Sequence, residues 1–497
     1  MGGSRWAGPK PPPGIDWRDL ARTGIDRARA WGVDYADVRV VGRESESLQV
    51  KNGVVSSVGW RREEGCGVRV LHRGRWGFAA SSDLGREEVE ALVDEALAIA
   101  RAGAVVKDGA AADLTPVPAV EDSYRSHYRV DPFTVKMEEK VELLMETDRL
   151  MRGAANLQVA TSSMRAYRET RVFAGTEGSL ITQEITGCGA GLQAVAAGKG
   201  EVQTRSYPCG SGGNLAQRGY EFIEELELTG HAEQVAREAE ELLDAPLCPA
   251  GETTVILDGS QLALQVHESC GHAVELDRVL GQEASYAGTS FLTPDLLGHF
   301  RYGSTEVNLV ADATLEGAVG SFAYDDEGVP ASRVELVKEG TFTGYLTSRE
   351  TAAALGQTSN GCMRAEGWDR QPLVRMTNIN LEPGDWTRGE IIKDTREGLY
   401  METNRSWSID DRRLNFQFGA EAAWEVVDGS LGRMYRNPTY TGITPEFWRS
   451  CDAVAGRKEW KLWGLANCAK GEPVQLMHVG HGVAPARFRR VRTGAGR

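Results

Sequence analysis

Hydrophobic and polar positions divide the chain into an alternating helix–strand half and a strand-rich half. Residues 16–32 carry apolar side chains at helical spacing, and Asp37-Val38-Arg39-Val40-Val41 begins a strand. Leu48-Gln49-Val50 and Val54-Val55-Ser56-Ser57-Val58 flank Asn52-Gly53. That dipeptide tolerates positive φ at both positions, so a tight hairpin turn is predicted there. A second hairpin is expected from 66–70 through Arg73-Gly74 to 76–78. Ser82 or Asp83 is placed to cap a helix starting near Arg86, with Val89, Leu92, Val93, Ala96 and Ala100 on its apolar face.

The layout then recurs. Residues 104–118, rich in Ala, Gly, Asp and Pro, read as a linker. Met137, Val141, Leu144 and Met145 mark a helix, and a strand region comes next over 157–173. Arg43-Glu44-Ser45 leads to Gly65-Cys66-Gly67, and Arg168-Glu169-Thr170 leads to Gly187-Cys188-Gly189 and the turn Gly198-Lys199-Gly200. The correspondence predicts a duplicated α+β unit; chance likeness of two hairpin meanders is the alternative. No base lies near the Gly-Cys-Gly cysteines, so both read as small buried strand residues.

A helix over 231–243 ends at Asp244-Ala245-Pro246. Beyond about 247 the pattern turns to strands at 253–257, 307–310, 334–337, 414–418 and 422–427, with Gly and Asp turns between them. The expected fold class is α+β: duplicated N-terminal α/β units, 1–115 and 116–246, followed by a large strand-rich C-terminal domain, 247–497. A chain of 497 residues is too long for one simple core.

Composition narrows the function. No run of 18 apolar residues exists to span a membrane, and residues 1–13 lack the apolar core of a signal peptide. The net charge of −15 disfavours nonspecific nucleic-acid binding. The eight cysteines include no CxxC pair, which fits a reduced cytoplasm.

The chemistry concentrates in Val266-His267-Glu268-Ser269-Cys270-Gly271-His272, which holds two of the eight histidines in the chain. Five residues on a regular helix turn about 500 degrees and leave the two rings about 140 degrees apart. The usual zinc-protease spacing is four, so a bend or helix end near Gly271 is needed to converge both rings on one ion. Glu268 would then deprotonate an activated water. The alternative has the histidines at a helix end or surface and Glu268 solvated. A third ligand is required, and the pattern leaves Cys270, Glu275, Asp277, Cys451, Cys468, His478 and His481 open. Cys270 is too close to both histidines for an easy tetrahedral arrangement. Cys468 sits in a loop-like setting with a nearby cation that favours thiolate.

The chain resembles the TldD side of the TldD/PmbA (TldD/TldE) metalloprotease family. His267-Glu268 with His272 carries the likeness first. Arg43-Glu44-Ser45, the Asn52-Gly53 hairpin, Tyr324-Asp325-Asp326-Glu327-Gly328, Leu346-Thr347-Ser348-Arg349 and Met363-Arg364-Ala365 extend it. Thr377-Asn378, Asn415-Phe416-Gln417-Phe418-Gly419, Asn467-Cys468-Ala469-Lys470-Gly471, His481-Gly482 and Pro485-Ala486-Arg487-Phe488-Arg489 complete it. The non-catalytic sister branch typically lacks the histidine motif. The resemblance implies zinc held by His267, His272 and Cys468, with Glu268 as general base. Ala469 stands where the family loop usually has glycine, and Cys451 is then a core or supporting residue.

The activity implied by that resemblance is hydrolysis of unfolded or flexible peptides, including leader-peptide removal. A partner is implied as well: a heterodimer with a TldE/PmbA-like sister subunit, or a homodimer. Asp325-Asp326-Glu327 is read either as orienting ligands and substrate or as a solvated acidic turn. Arg364, Asn378, Arg412 and His481 are expected on the surface or in the scaffold, and Tyr324 is a candidate oxyanion donor. The competing readings are a metal-dependent hydrolase of another amide, a peptide-binding regulatory subunit with structural zinc, and an acidic-residue glycosidase.

Overall fold

A computed structural model describes residues 16–105, 111–210 and 212–496. The proline-rich start, residues 1–13, and part of the expected linker lie outside the described residues.

Helix Trp17–Trp31 begins where the Asp16 side chain accepts from the Arg18 backbone N–H and ends at left-handed Gly32. Its buried face is Trp17, Leu20, Ala21, Gly24, Ile25 and Ala28. Strands Tyr35–Lys51 and Val54–His72 form a long hairpin whose turn residues, Asn52 and Gly53, both have positive φ. Arg73 and Gly74 make the second turn in the same way and lead into Arg75–Ser81. Helix Arg86–Gly103 starts later than the expected cap: its N-cap is Gly85, and Asp83 instead accepts from the Gly85 N–H.

The second unit repeats this order with helix Met137–Met151, strands Leu157–Gly175, Leu180–Gly198 and Glu201–Tyr207, and helix Leu228–Asp244. The two units share one eight-stranded sheet because Tyr35–Lys51 pairs antiparallel with Leu157–Gly175. The two matching motifs face each other there, Arg43 opposite Glu169 and Glu44 opposite Arg168. Cys66 and Cys188 are both fully buried on their central strands. Residues 111–120 are held by both halves of the chain: Ala112 donates to the Gly74 carbonyl and Thr115 to that of Arg349.

The C-terminal part centres on a second sheet. Strand Gly251–Leu257 lies between the parallel strand Glu397–Ile409 and the antiparallel strand Ala486–Ala495. Pro438–Ile443 and Asn415–Val427 continue the order, and Asn415–Val427 also pairs with Glu397–Ile409. Five strands therefore close on themselves, leaving no free edge among them. Asn415–Val427 is one continuous strand where two short ones were expected. The largest core packs Val255, Leu257, Phe416, Phe418, Tyr440, Trp448 and Phe488 with the segment that bears the histidines. Among the described residues no helix is long and apolar enough to cross a membrane.

The acidic run Asp325-Asp326-Glu327 ties the two halves together. All three residues are buried. Asp325 accepts from the backbone N–H groups of Glu327, Val329 and Met363. Asp326 accepts from Ala365 N–H and from Arg171 and stands 3.9 Å from Arg39, while Glu327 accepts from Arg349 N–H and faces Arg69. Burial of so many charges is tolerable because each carboxylate is hydrogen-bonded or paired. These residues join the first sheet to the C-terminal part and are not a solvated turn.

Candidate metal centre

Strand Gly251–Leu257 delivers the chain to Asp258, whose side chain accepts from the Ser260 N–H and starts helix Gly259–Val266. Every residue of that helix is buried. The helix then widens into a π-helical turn, His267–Gly271, in which the His272 N–H donates to the His267 carbonyl five residues back. An i→i+5 turn stacks residues five apart on one face, as an α-helix does for residues four apart. The two rings accordingly meet with centroids 4.8 Å apart at 87°. The convergence comes from this widened turn, which ends at Gly271. Gly271 has helical φ of −52°, so its glycine serves space and not conformation. A Cβ there would lie 2.1 Å from the Sδ of buried Met376.

The third group comes from a separate hairpin, Lys461–Lys470 with Gln475–Val483. Cys468 lies on a strand rather than a loop, at a register irregularity between Leu465 and Cys468. Such a bulge re-aims a side chain. Ala469 pairs with Leu476 and lies outside the positive-φ residues, so alanine is unstrained at this position. Ligand atoms of His267, His272 and Cys468 all lie within 4.8 Å of one another, and all three residues are buried. Cys468 Sγ stands 3.7 Å from His272 Nε2. Two imidazoles and a thiol in this compass suit zinc or another borderline ion, and a set of three leaves a coordination position open.

The electrostatics agree with that use. Burial keeps His267 below the usual imidazole range and His272 well below it, so both rings are neutral and hold lone pairs. Burial would push the Cys468 thiol up, but its surroundings, the Arg375 guanidinium among them, outweigh it and hold the thiol below its ordinary value. Lys470 is not the cation responsible: its ammonium donates to both Asp277 oxygens, at 2.7 and 2.9 Å, and to the Val374 carbonyl. His272 Nδ1 is 2.9 Å from Glu275 Oε2. The carboxylate accepts a hydrogen bond from Nδ1–H and leaves the Nε2 lone pair facing Cys468.

Glu268 lines the same cavity of about 460 Å³ as His267, His272 and Cys468. Its Oε2 accepts from Arg413 Nη1 at 2.7 Å. Arg413 sits in the left-handed region at φ 62°, in the turn that precedes strand Asn415–Val427. No signal in the sequence singles out Arg413, because neither its φ nor its partner can be read from the residues around it. Glu275 was legible only as a rival ligand, and its place is behind His272.

The other candidates lie elsewhere. His478 packs its ring on Tyr167 at 4.5 Å, and His481 stands 2.8 Å from His267 Nδ1 without joining the cluster of three candidate ligand groups. Cys270 and Cys451 are buried in the main core, and Asp277 pairs with Lys470. Tyr324 donates to Asp122 and lines a different cavity, so it is not an oxyanion donor at this centre. Arg364 and Asn378 serve the scaffold, Arg364 donating to the Met376 and His478 carbonyls and Asn378 to Asp312 and Ser321. Arg412 is exposed.

The PmbA/TldA metallopeptidase C-terminal domain matches residues 250–494, its domain 1 residues 36–100 and its central domain residues 130–243. Metalloprotease MJ0996 of Methanocaldococcus jannaschii is 33% identical over 449 residues, covering 90% of this chain and 94% of the relative. A metalloprotease of Methanothermobacter thermautotrophicus is 31% identical over 468 residues, 93% and 96% of the two chains. The crystal structure of TldE from Thermococcus kodakarensis has the same fold at a TM-score of 0.75 and 17% identity, covering 96% of this chain and 99% of that one. With the family's C-terminal model spanning the paired histidines and Cys468, the chain belongs to the TldD/PmbA metallopeptidase family.

Proposed function

We propose that this chain is a zinc-dependent peptidase acting on unfolded or flexible peptides, leader peptides among them. His267, His272 and Cys468 are the metal ligands and Glu268 is the general base. One observation carries the reading: three buried soft and borderline donors and a carboxylate line one open cavity. When bound, zinc supplies an activated water and polarises the scissile carbonyl. Glu268 takes the proton of the attacking water and passes it to the leaving amine. Arg413 holds the carboxylate in place, and Glu275 holds His272. The domains are taken as 1–115, 116–246 and 247–497, with catalysis in the last. The working form is a cytoplasmic dimer, with a TldE/PmbA-like sister or a second copy.

A peptide-binding subunit with structural zinc is the second reading. The open cavity beside the donors favours the peptidase, because a structural site closes around four protein ligands. A metal-dependent hydrolase of another amide would use the same residues and differ in substrate.

The test measures zinc content and peptide cleavage on one preparation, for wild type and Glu268→Gln, with and without a sister subunit. The peptidase reading expects about one zinc per chain in both proteins and a loss of about 10²-fold or more in cleavage in the variant. Zinc in both with cleavage unaffected by the substitution would sink the role of Glu268.

A further inference from the structure

His481 is fully buried and within contact of a candidate metal ligand, yet it is not one of the three. Both of its ring nitrogens are occupied. Nδ1 stands 3.1 Å from the Ile379 carbonyl oxygen, and Nε2 stands 2.8 Å from His267 Nδ1. A carbonyl oxygen only accepts, so His481 Nδ1 carries the proton. Neutral His481 then has a lone pair at Nε2, and the donor for it is His267 Nδ1–H. His267 is left with its lone pair at Nε2. The ring planes cross at 81°, with centroids 4.9 Å apart, which suits an in-plane hydrogen bond running from one ring toward the edge of the other.

We infer that His481 is a positioning residue that fixes the tautomer and ring angle of His267. This rests on the reading of His267 as a ligand. The two ligand histidines are thus held by unlike partners: His272 by the Glu275 carboxylate and His267 by a neutral imidazole anchored to a backbone carbonyl. The fold has a reason for the arrangement. His481 and Cys468 lie on the two strands of one hairpin, where Trp463 pairs with His481 and Cys468 with Met477. Placing that hairpin against the π-helical turn therefore sets one ligand and the orientation of another together. Ile379 belongs to strand Ile379–Leu381, which packs on the same turn.

The test compares His481→Gln with His481→Leu in the full-length chain. Glutamine can accept from His267 through its oxygen and donate to Ile379 through its nitrogen; leucine can do neither. Zinc affinity is measured by competition with a chromophoric chelator, and ¹⁵N NMR of histidine-labelled, metal-free protein reads the His267 tautomer. The inference expects a single Nδ1–H tautomer for His267 in wild type. It expects zinc affinity about 10- to 100-fold weaker in the leucine variant, largely restored by glutamine. An Nε2–H tautomer in wild type, equal losses in both variants, or no loss in either would overturn it. Should wild type bind no zinc at all, the ligand reading fails, and the NMR tautomer alone decides whether His481 orients His267. Should the leucine variant fail to fold, the glutamine variant and the wild-type tautomer still decide.

Discussion

Glu268 and Arg413, separated by 145 positions in the sequence, meet at 2.7 Å beside the paired histidines. Their side chains are 8% and 14% exposed, so the pair is largely withdrawn from water. A charge-assisted bond of this kind fixes the carboxylate direction as well as contributing energy. Replacing Arg413 by Met leaves Glu268 free to rotate, and misplacing a catalytic group by about 1 Å can cost about 10²-fold. Cleavage by Arg413→Met is expected to fall by about that factor while zinc content stays at the wild-type level. Steady-state kinetics beside metal analysis checks this, and a parallel loss of zinc would contradict it.

Cys468 and Cys451 offer a direct contrast. Both are buried, but only Cys468 stands within reach of His272. Cys468→Ser is expected to lose most of its zinc after dialysis, whereas Cys451→Ser keeps it. Atomic absorption on the two variants decides between them, and equal retention would remove Cys468 from the ligand set.

Gly271 is needed for the space it leaves. In Gly271→Ala the new methyl group collides with Met376, which is fully buried beside Ile379. Overpacking of this kind costs about 1–3 kcal/mol. The shift passes into the turn that carries both histidines, so weaker zinc binding should accompany the loss of stability. Urea unfolding and chelator competition measure the two effects; an unchanged unfolding midpoint would refute the steric argument.

Asp326 links the first sheet to the C-terminal part. It binds Arg171 and the Ala365 N–H and faces Arg39. Asp326→Ala leaves the buried Arg39 guanidinium without its carboxylate and Arg171 with Glu169 alone, a loss of about 3–5 kcal/mol. A lowered unfolding temperature and early proteolysis between the two halves are expected.

Glu421 predicts a pH dependence of stability. It is buried and accepts from the Ser206 N–H and hydroxyl at 2.7 Å each. Burial pushes its carboxyl up to about 7, against the attraction of Arg205. An unfolded glutamate titrates near about 4.3, so between the two values the folded chain holds a proton that the unfolded chain has released. The stability it confers is fully present below about pH 4.3 and is lost as pH rises toward 7. Glu421→Gln fixes the group neutral and should flatten this fall between about pH 5 and 7. Glu402, also raised to about 7, leaves part of the slope. Unfolding free energies across that range test the direction, and parallel curves for the two proteins would refute it.

Local physics made much of the fold legible in the residues themselves. Asp16 and Gly32 bracket a helix because one caps with its side chain and the other accepts left-handed φ. Asn52-Gly53 and Arg73-Gly74 mark hairpins by the same backbone preference. The repeated motif around Arg43 and Arg168 marked two like units, and the rarity of histidine drew attention to His267 and His272.

Tertiary structure decided the rest. A spacing of five becomes one face only through a π-helical turn, which no local propensity announces and which Met376 packs against. Long-range pairing made one strand of residues 415–427, joined the two units into one sheet and closed the C-terminal strands on themselves. It also brought Cys468, Arg413 and His481 to the histidines from about 140 to 215 residues away. Contacts over such separations depend on how whole sheets and helices pack, and that packing energy is shared among residues distant in the chain.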